Sequence, residues 1–388
     1  MAQHTRNRAP TARLGGLLAQ LVLGSLLTAC GQEPPLKLGF AGELTGKQSD
    51  LGAHGRDGVQ LAVEELNAGG GLAGRQLELV IRDDQGTPAG AVAADQALIE
   101  AGVVAIIGHM NSAQTLAGLP VTEAAGMVLL SPVATTPELS GRADHFFRIV
   151  PTHENQAEAL ARHMIQNRRL DRLAVIFDTD NAAFSKSFWE SFAESYRSFG
   201  GQVTAEAPFA ASQNPDFAVL VAPLAASDAD GLLIITSALD AALIAQQTRL
   251  QGWPVPLFSS AWAQTDVLLQ NGGMAVEGME FTIAFDINSQ APAYQDFRGR
   301  FEQRFGRVPT FVEGESYEAA LVLFAALDRT GGQAAGLREA LLQTQNFAGL
   351  VSPITLDQYG DAMRHIFLVT VRDGAYQTLP TVLVPGRN

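Results

Sequence analysis

Short apolar runs alternate with amphipathic segments of roughly 12 to 16 residues along most of this 388-residue chain. No other feature limits the fold so much. A strand, a helical crossover and a second strand in one sheet run parallel. A repeated series of such units is a doubly wound α/β sheet with helices on both faces. The series starts at residues 37–41 (KLGFA) and passes through a glycine-rich loop at 42–55. A helix then ends at Asn67-Ala68-Gly69, and a strand at 77–81 closes on Asp83-Asp84. Thr87 caps the next helix, which runs to about Ala101. After residues 146–150 the alternation restarts, with helices at 155–167, 185–199, 216–225 and 239–250. Strands at 173–177, 203–207, 231–235 and 255–259 separate them. A segment at 279–284, helices at 292–305 and 312–330, and a hairpin-like end around Asp373-Gly374 complete the chain. Two α/β lobes of similar size imply a cleft between them, the usual place for a small-molecule site.

Residues 103–140 are the best candidate for the working centre. An apolar run at 103–107 ends at Gly108. Ser112 then occupies a helix N-cap position ahead of Leu116, Leu119, Val121 and Ala125, and Gly126 stops that helix. A second strand at 127–130 leads into Ser131-Pro132. Both following loops must emerge at the carboxyl edge of the sheet, where open α/β sheets bind ligands. One loop offers Asn111-Ser112 and the other Thr135-Thr136. Hydroxyls and free N–H groups at a helix start suit a carboxylate or another small anion, although the same residues also serve as a cap and a turn.

The N-terminus points to export. Arg6, Arg8 and Arg13 precede an apolar segment at 14–27 that is too short for a membrane span. It ends in Leu27-Thr28-Ala29-Cys30, which looks like a bacterial lipobox, and Cys30 is the chain's one cysteine. Lipidation of Cys30 is therefore expected, with residues 1–29 as the leader and 30–35 as the start of a tether. The exported part has no disulfide and must be stabilised by its core. The net charge is -14. Without the three leader arginines, 23 basic residues face 40 acidic ones, and no basic stripe is present for nucleic acid.

Several motifs carry no function. Gly69-Gly70-Gly71-Leu72-Ala73-Gly74 fits G-x-G-x-x-G, but a helix precedes it and a strand follows, the reverse of a dinucleotide site. Gly42-Glu43-Leu44-Thr45-Gly46-Lys47 is one residue short of a phosphate loop. No G-x-S-x-G elbow occurs, and the histidines show no metal-ligand pairing. His109 reads as a packed or capping histidine and Asp83-Asp84 as turn caps. No catalytic constellation, metal site or cofactor site is expected.

Several blocks in order resemble the branched-chain amino-acid (Leu/Ile/Val) binding proteins of bacterial ABC importers. They are Gly39-Phe40-Ala41-Gly42-Glu43-Leu44-Thr45-Gly46, Leu61-Ala62-Val63-Glu64-Glu65-Leu66-Asn67-Ala68-Gly69-Gly70 and Leu79-Val80-Ile81-Arg82-Asp83-Asp84. Ile107-Gly108-His109, Ser131-Pro132, Thr135-Thr136-Pro137-Glu138-Leu139, the Phe146/Arg148 pair and Tyr317-Glu318-Ala319-Ala320 continue the series. The similarity runs from about residue 36 to 374. It implies a type I periplasmic binding fold with three crossovers, near 151–154, 279–284 and 358–363. The first lobe would comprise 36–152 with 283–360, and the second 153–282 with 361–384. By the same resemblance, Ser112 and Thr135 match positions that bind a ligand carboxylate. Val133 matches one whose carbonyl takes an ammonium, and Phe184 an aromatic wall. Leu51 stands where some members place a tryptophan. Asn111, Ala134, Ser237 and Trp262 complete the candidate ligand-binding set. One departure stands out: the loop Ser260-Ala261-Trp262-Ala263 lacks the acid that the family commonly sets against the ammonium. Either another acid such as Asp180 reaches that group, or the ligand is not a standard amino acid.

The resulting expectation is a lipid-anchored, monomeric solute receptor that delivers a small amino-acid-like or carboxylate ligand to an ABC permease. A ligand sensor partnering a signalling receptor is the alternative, and an exported enzyme the weaker one. A DNA-binding repressor is excluded because an export leader occupies the place of its helix-turn-helix.

Overall fold

A computed structural model describes residues 1–5, 33–46 and 48–383. The apolar leader segment and Cys30 lie outside the described residues. The chain builds two lobes, each around its own sheet. In the first, β1 (Leu36–Gly42), β2 (Leu77–Asp83), β3 (Ile106–Ile107), β4 (Leu129–Ser131) and β5 (Phe146–Arg148) are all parallel, in the order β2-β1-β3-β4-β5. The second contains β6 (Arg172–Asp178), β7 (Gln202–Phe209), β8 (Gly231–Ile235), β9 (Leu257–Ser260) and β10 (Glu280–Ile283), also parallel. The antiparallel pair β13 (Ile366–Arg372) and β14 (Ala375–Leu383) extends it, giving the order β14-β13-β10-β9-β8-β6-β7. A small hairpin of β11 (Thr355–Leu356) and β12 (Ala362–Met363) stands apart from both sheets. The chain passes between the lobes three times, after β5, after β10 and after β12.

Parallel strands covered on both faces need continuous apolar sequence. Leu232, Leu233, Ile234 and Ile235 of β8 are all fully buried, as are Ile106, Ile107, Leu129 and Leu130 in the first lobe. The sheet orders place a switch point between β1 and β3 in one lobe and between β6 and β8 in the other. Loops at such points diverge and leave a crevice.

The helices are α1 (Ser49–Ala68), α2 (Pro88–Glu100), α3 (Ser112–Ala124), α4 (His153–Gln166), α5 (Ala182–Ser198), α6 (Phe217–Ala225), α7 (Ala238–Leu250), α8 (Asp266–Gly272), α9 (Pro292–Phe305), α10 (Phe311–Arg329) and α11 (Leu337–Leu342). One sequence expectation is corrected here. Residues 49–55 are not part of a glycine-rich loop but the first two turns of α1. Their glycines serve close packing. A Cβ on Gly52 would lie 1.9 Å from the Glu43 carbonyl oxygen, and one on Gly58 would lie 2.4 Å from that of Glu313 on α10. Helix α11 and the β11/β12 hairpin are additions too short to read from periodicity. Gly69 to Gly74 form the expected helix-to-strand turn, closed by a bridge between Leu72 and Arg75.

The glycine packing is testable. Alanine is a better helix former than glycine by about 1 kcal/mol, yet Gly58→Ala is expected to destabilise the protein by about 1–3 kcal/mol through overpacking against α10. Urea unfolding of the two proteins measures the sign directly.

Candidate functional site

The carboxyl edges of the two sheets face each other across a small cavity between the lobes, a usual position for a small-molecule site. From the first lobe the loops after β3 and β4 contribute Asn111, Ser112, Val133 and Thr135, while α1 and α10 contribute Leu51, Phe311 and Glu315. The second lobe contributes Asn181 and Phe184 after β6, Ala261 and Trp262 after β9, and Gln156 from α4. Met110, Val150, Ile283 and Ala284 complete the lining.

Asn111, rather than Ser112, is the residue before α3, and its side chain makes no capping bond. Ser112 is instead the first helical residue, and its Oγ accepts from the Thr136 N–H at 3.4 Å. This links the loops after β3 and β4. Ser131 links them again, its Oγ donating to the His109 carbonyl (2.9 Å) and accepting from the Ala134 N–H (3.0 Å).

Behind these loops lies Arg148, fully buried at the end of β5. Its Nε donates to Asp361 at 2.7 Å, Nη1 to the carbonyls of Thr136 (2.9 Å) and Ala134 (3.3 Å), and Nη2 to Ser140 Oγ. The guanidinium thus shapes the loop that presents Thr135. His153, at the start of α4, packs against the same loop. Its Nδ1 is 3.5 Å from Thr135 Oγ1 and its Nε2 is 3.1 Å from Ser187 Oγ. Burial, helped by the Arg148 charge, depresses this imidazole to about 3, so it is neutral at pH 7.

His109 is buried between two carboxylates, with Nδ1 2.7 Å from Asp84 and Nε2 3.2 Å from Asp95 on α2. Burial alone would lower its pKa, but the bonds and charges of the two aspartates outweigh it and raise the pKa to about 9. The packed histidine expected from sequence is therefore an ionic anchor for the β3 loop. Both aspartates hold the following turn as expected, Asp83 through the Gln85 N–H (2.8 Å) and Asp84 Oδ1 through the Gly86 N–H (2.9 Å), and Asp84 Oδ2 also meets His109.

An aromatic wall closes the second-lobe side. Trp262 meets Phe184 edge-on at 5.7 Å between centroids, and Phe184 meets His153 in the same way at 5.5 Å. The lobes also touch across the mouth. Asn181 Oδ1 accepts from the Ala113 N–H at 3.1 Å, Thr265 Oγ1 donates to Asp50 at 2.7 Å, and His54 lies 3.4 Å from Asp266.

Of the candidate residues, Leu51, Asn111, Ser112, Val133, Thr135, Phe184 and Trp262 come together in this one lining. Ala134 and Ser237 are buried but are not among the lining residues. Ala134 gives its backbone to Ser131 and Arg148 instead, and Ser237 stands at the head of α7. Asp180, the suggested substitute acid, does not reach the cavity. It lines a separate, more polar pocket at the mouth, where its carboxylate accepts from Ser212 N–H (2.6 Å) and Oγ (3.1 Å). The acid that does line the cavity is Glu315, only 2% exposed. Sequence reasoning missed it because Glu315 lies on a helix that reads as an ordinary packed element. Gln156 and Asn181 were missed for the same lack of a local signal.

The two lobes, the three crossovers and a cavity between carboxyl edges define a bilobal small-molecule binding protein. A family model described as periplasmic binding protein matches residues 35–375, and the chain belongs to that family. It is 24% identical over 329 residues to Leu/Ile/Val-binding protein homolog 3 of Brucella melitensis, covering 84% of this chain and 88% of that one. The crystal structure of a leucine-binding protein from Thermotoga maritima superposes with a TM-score of 0.84 at 27% identity, over 90% of this chain and 99% of the other. An ABC-transporter solute-binding protein from R. palustris, solved with benzoate, gives 0.82 at 21% identity, over 90% and 97%, and shares the fold. These relatives are named as binding proteins, not as enzymes. No helix among the described residues is long and apolar enough to cross a membrane.

Two predictions follow from the buried groups. Removing one partner of a buried ion pair costs about 3–5 kcal/mol, so Arg148→Met is expected to lower stability by that order and to loosen the Thr135 loop, read by urea unfolding and by hydrogen exchange at residues 134–140. The histidines give opposite pH slopes. His109, raised to about 9, contributes stability that is full below its ordinary 6.5 and is lost as pH rises through 9. His153, lowered to about 3, contributes stability that is present above 6.5 and is lost as pH falls towards 3. Urea midpoints across pH 3–10 are expected to flatten on the alkaline side in His109→Asn and on the acid side in His153→Asn.

Proposed function

We propose that the protein is a lipid-anchored extracytoplasmic receptor that captures a small amino-acid-like or carboxylate ligand by lobe closure and delivers it to an ABC import permease. The observation that carries this reading is the cavity itself. One side presents two hydroxyls, Ser112 and Thr135, at a helix start, and the remainder is largely apolar and aromatic. Hydroxyls and N–H groups at a helix N-terminus suit a carboxylate. Leu51, Val133, Phe184 and Trp262 suit an apolar body. Asn111, Ser112, Val133, Thr135, Phe184, Leu51 and Trp262 are the proposed ligand contacts, with Cys30 as the lipidated residue.

The lobes are proposed to run from 36 to 152 with 283 to 360, and from 153 to 282 with 361 to 384. Closure about the three crossovers adds second-lobe contacts that an open form lacks. The names of the Brucella and Thermotoga relatives favour an aliphatic amino acid, and the benzoate complex of the R. palustris protein keeps other carboxylates in the class. Transport rather than sensing is favoured by the naming of that relative as a transporter component.

Mass spectrometry of small molecules released on denaturing the purified protein is expected to find a small carboxylate. A ligand with no acidic group would refute the assignment. With the ligand identified, Ser112→Ala and Thr135→Ala are each expected to weaken binding by about 1–3 kcal/mol, the usual loss of a charge-assisted hydrogen bond. Calorimetry measures it, and unchanged affinity in both variants counts against the carboxylate site.

A further inference from the structure

Glu315 is the one ionisable side chain among the described residues that line the cavity. It is 2% exposed, and its carboxyl has no hydrogen-bond partner among the described residues. The charged groups that bear on it are Arg364 and Glu318. Arg364 is already committed: Nη1 and Nη2 donate to Glu318 at 2.6 and 3.1 Å, and Nε donates to Ser352 at 3.3 Å. A carboxyl buried without a partner is costly to keep, and the open side of this one is the cavity.

We propose that Glu315 is the specificity-determining acid of the cavity, and that the ligand it selects is a small apolar carboxylate that also bears a protonated nitrogen, which Glu315 receives. This rests on the carboxylate-receptor reading above and narrows it. The loop 260–263 carries no acid, and Asp180 is bound to Ser212 outside the cavity. A first-lobe helix thus supplies the negative charge that the second-lobe loop lacks. A neutral donor or acceptor would be provided equally well by an amide, as at Gln156. What a carboxyl adds is charge. A ligand with a second acid group would find no cation among the described lining residues.

Proton coupling follows. Burial raises the empty-cavity carboxyl well above its ordinary range, with Arg364 lowering and Glu318 raising it. A cation bound there favours the charged form and lowers it again, which is read as proton release wherever the carboxyl holds a proton.

The test compares L-leucine with 4-methylpentanoate, and L-phenylalanine with 3-phenylpropanoate, each pair differing only by the ammonium. Calorimetry in buffers of different ionisation enthalpy gives both affinity and protons released. In the wild type at least one amino acid is expected to bind about tenfold or more tighter than its deaminated partner, with proton release. Glu315→Gln is expected to reduce that ratio to about threefold or less and to abolish the release, with the carboxylate partner little affected. Should the amide fail to fold, Glu315→Met replaces it. A wild-type ratio near one, or a preference that survives Glu315→Gln, overturns the proposal. Ser112→Ala separates the two readings, because it should weaken both members of a pair alike. If none of the four compounds binds, this inference fails, while the released-ligand mass spectrum still decides the carboxylate reading.

Discussion

Arg148 is where the architecture and the site become one problem. The residue ends β5, immediately before the first passage between lobes, and its guanidinium bonds to Asp361, beside the third. Its backbone N–H is also taken by the Gly360 carbonyl at 3.0 Å. The remaining guanidinium donors hold the carbonyls of Ala134 and Thr136 and the Ser140 hydroxyl. A single buried cation therefore ties two of the passages between the lobes to the loop that carries Thr135. Guanidinium suits this role because its donors are planar, fixed in direction and permanently charged. The surrounding carbonyls and one carboxylate satisfy it without exposing it to water, and that is the condition under which a buried charge is tolerated.

Around this knot the two lobes divide the cavity lining. The first lobe carries the directional polar groups, with Ser112 and Thr135 on loops anchored by Ser131, His109 and Arg148. The second carries Phe184 and Trp262, which give area and shape. Each loop is held from behind by groups that never face the cavity. His153 supports Thr135, and Asp84 and Asp95 hold His109. Glu315 adds a charge on the first-lobe helix that packs against α1, and Gln156 and Asn181 are the exceptions to the division, polar groups from the second lobe.

Much of this was legible in the chain. The alternation of apolar strands and helices gave two doubly wound lobes because parallel strands must be joined by crossovers and buried on both faces. Loops at the carboxyl edge could be assigned for the same reason, and seven of the nine candidate side chains converge on one cavity. What failed was what local pattern cannot encode. The glycines at 52 and 55 read as part of a loop, since their reason for being small is the Glu43 backbone and the Met110 side chain, contacts that only the folded chain makes. Ser112 read as a cap, although its oxygen turns to Thr136.

By itself, then, the sequence determined the class of fold, the succession of strands and helices along the chain and the loops that flank the cleft. These follow from periodicity, chain connectivity and the polarity of neighbouring residues, all of them local. Only the tertiary structure decided which acid meets the cavity. Asp180 lies on a cleft loop yet is bound to Ser212, and Glu315 lies inside a helix yet faces the ligand space. The direction a side chain takes in a buried interface is set by partners outside its own segment, as Ser212 is for Asp180, and no spacing rule in one segment carries that information.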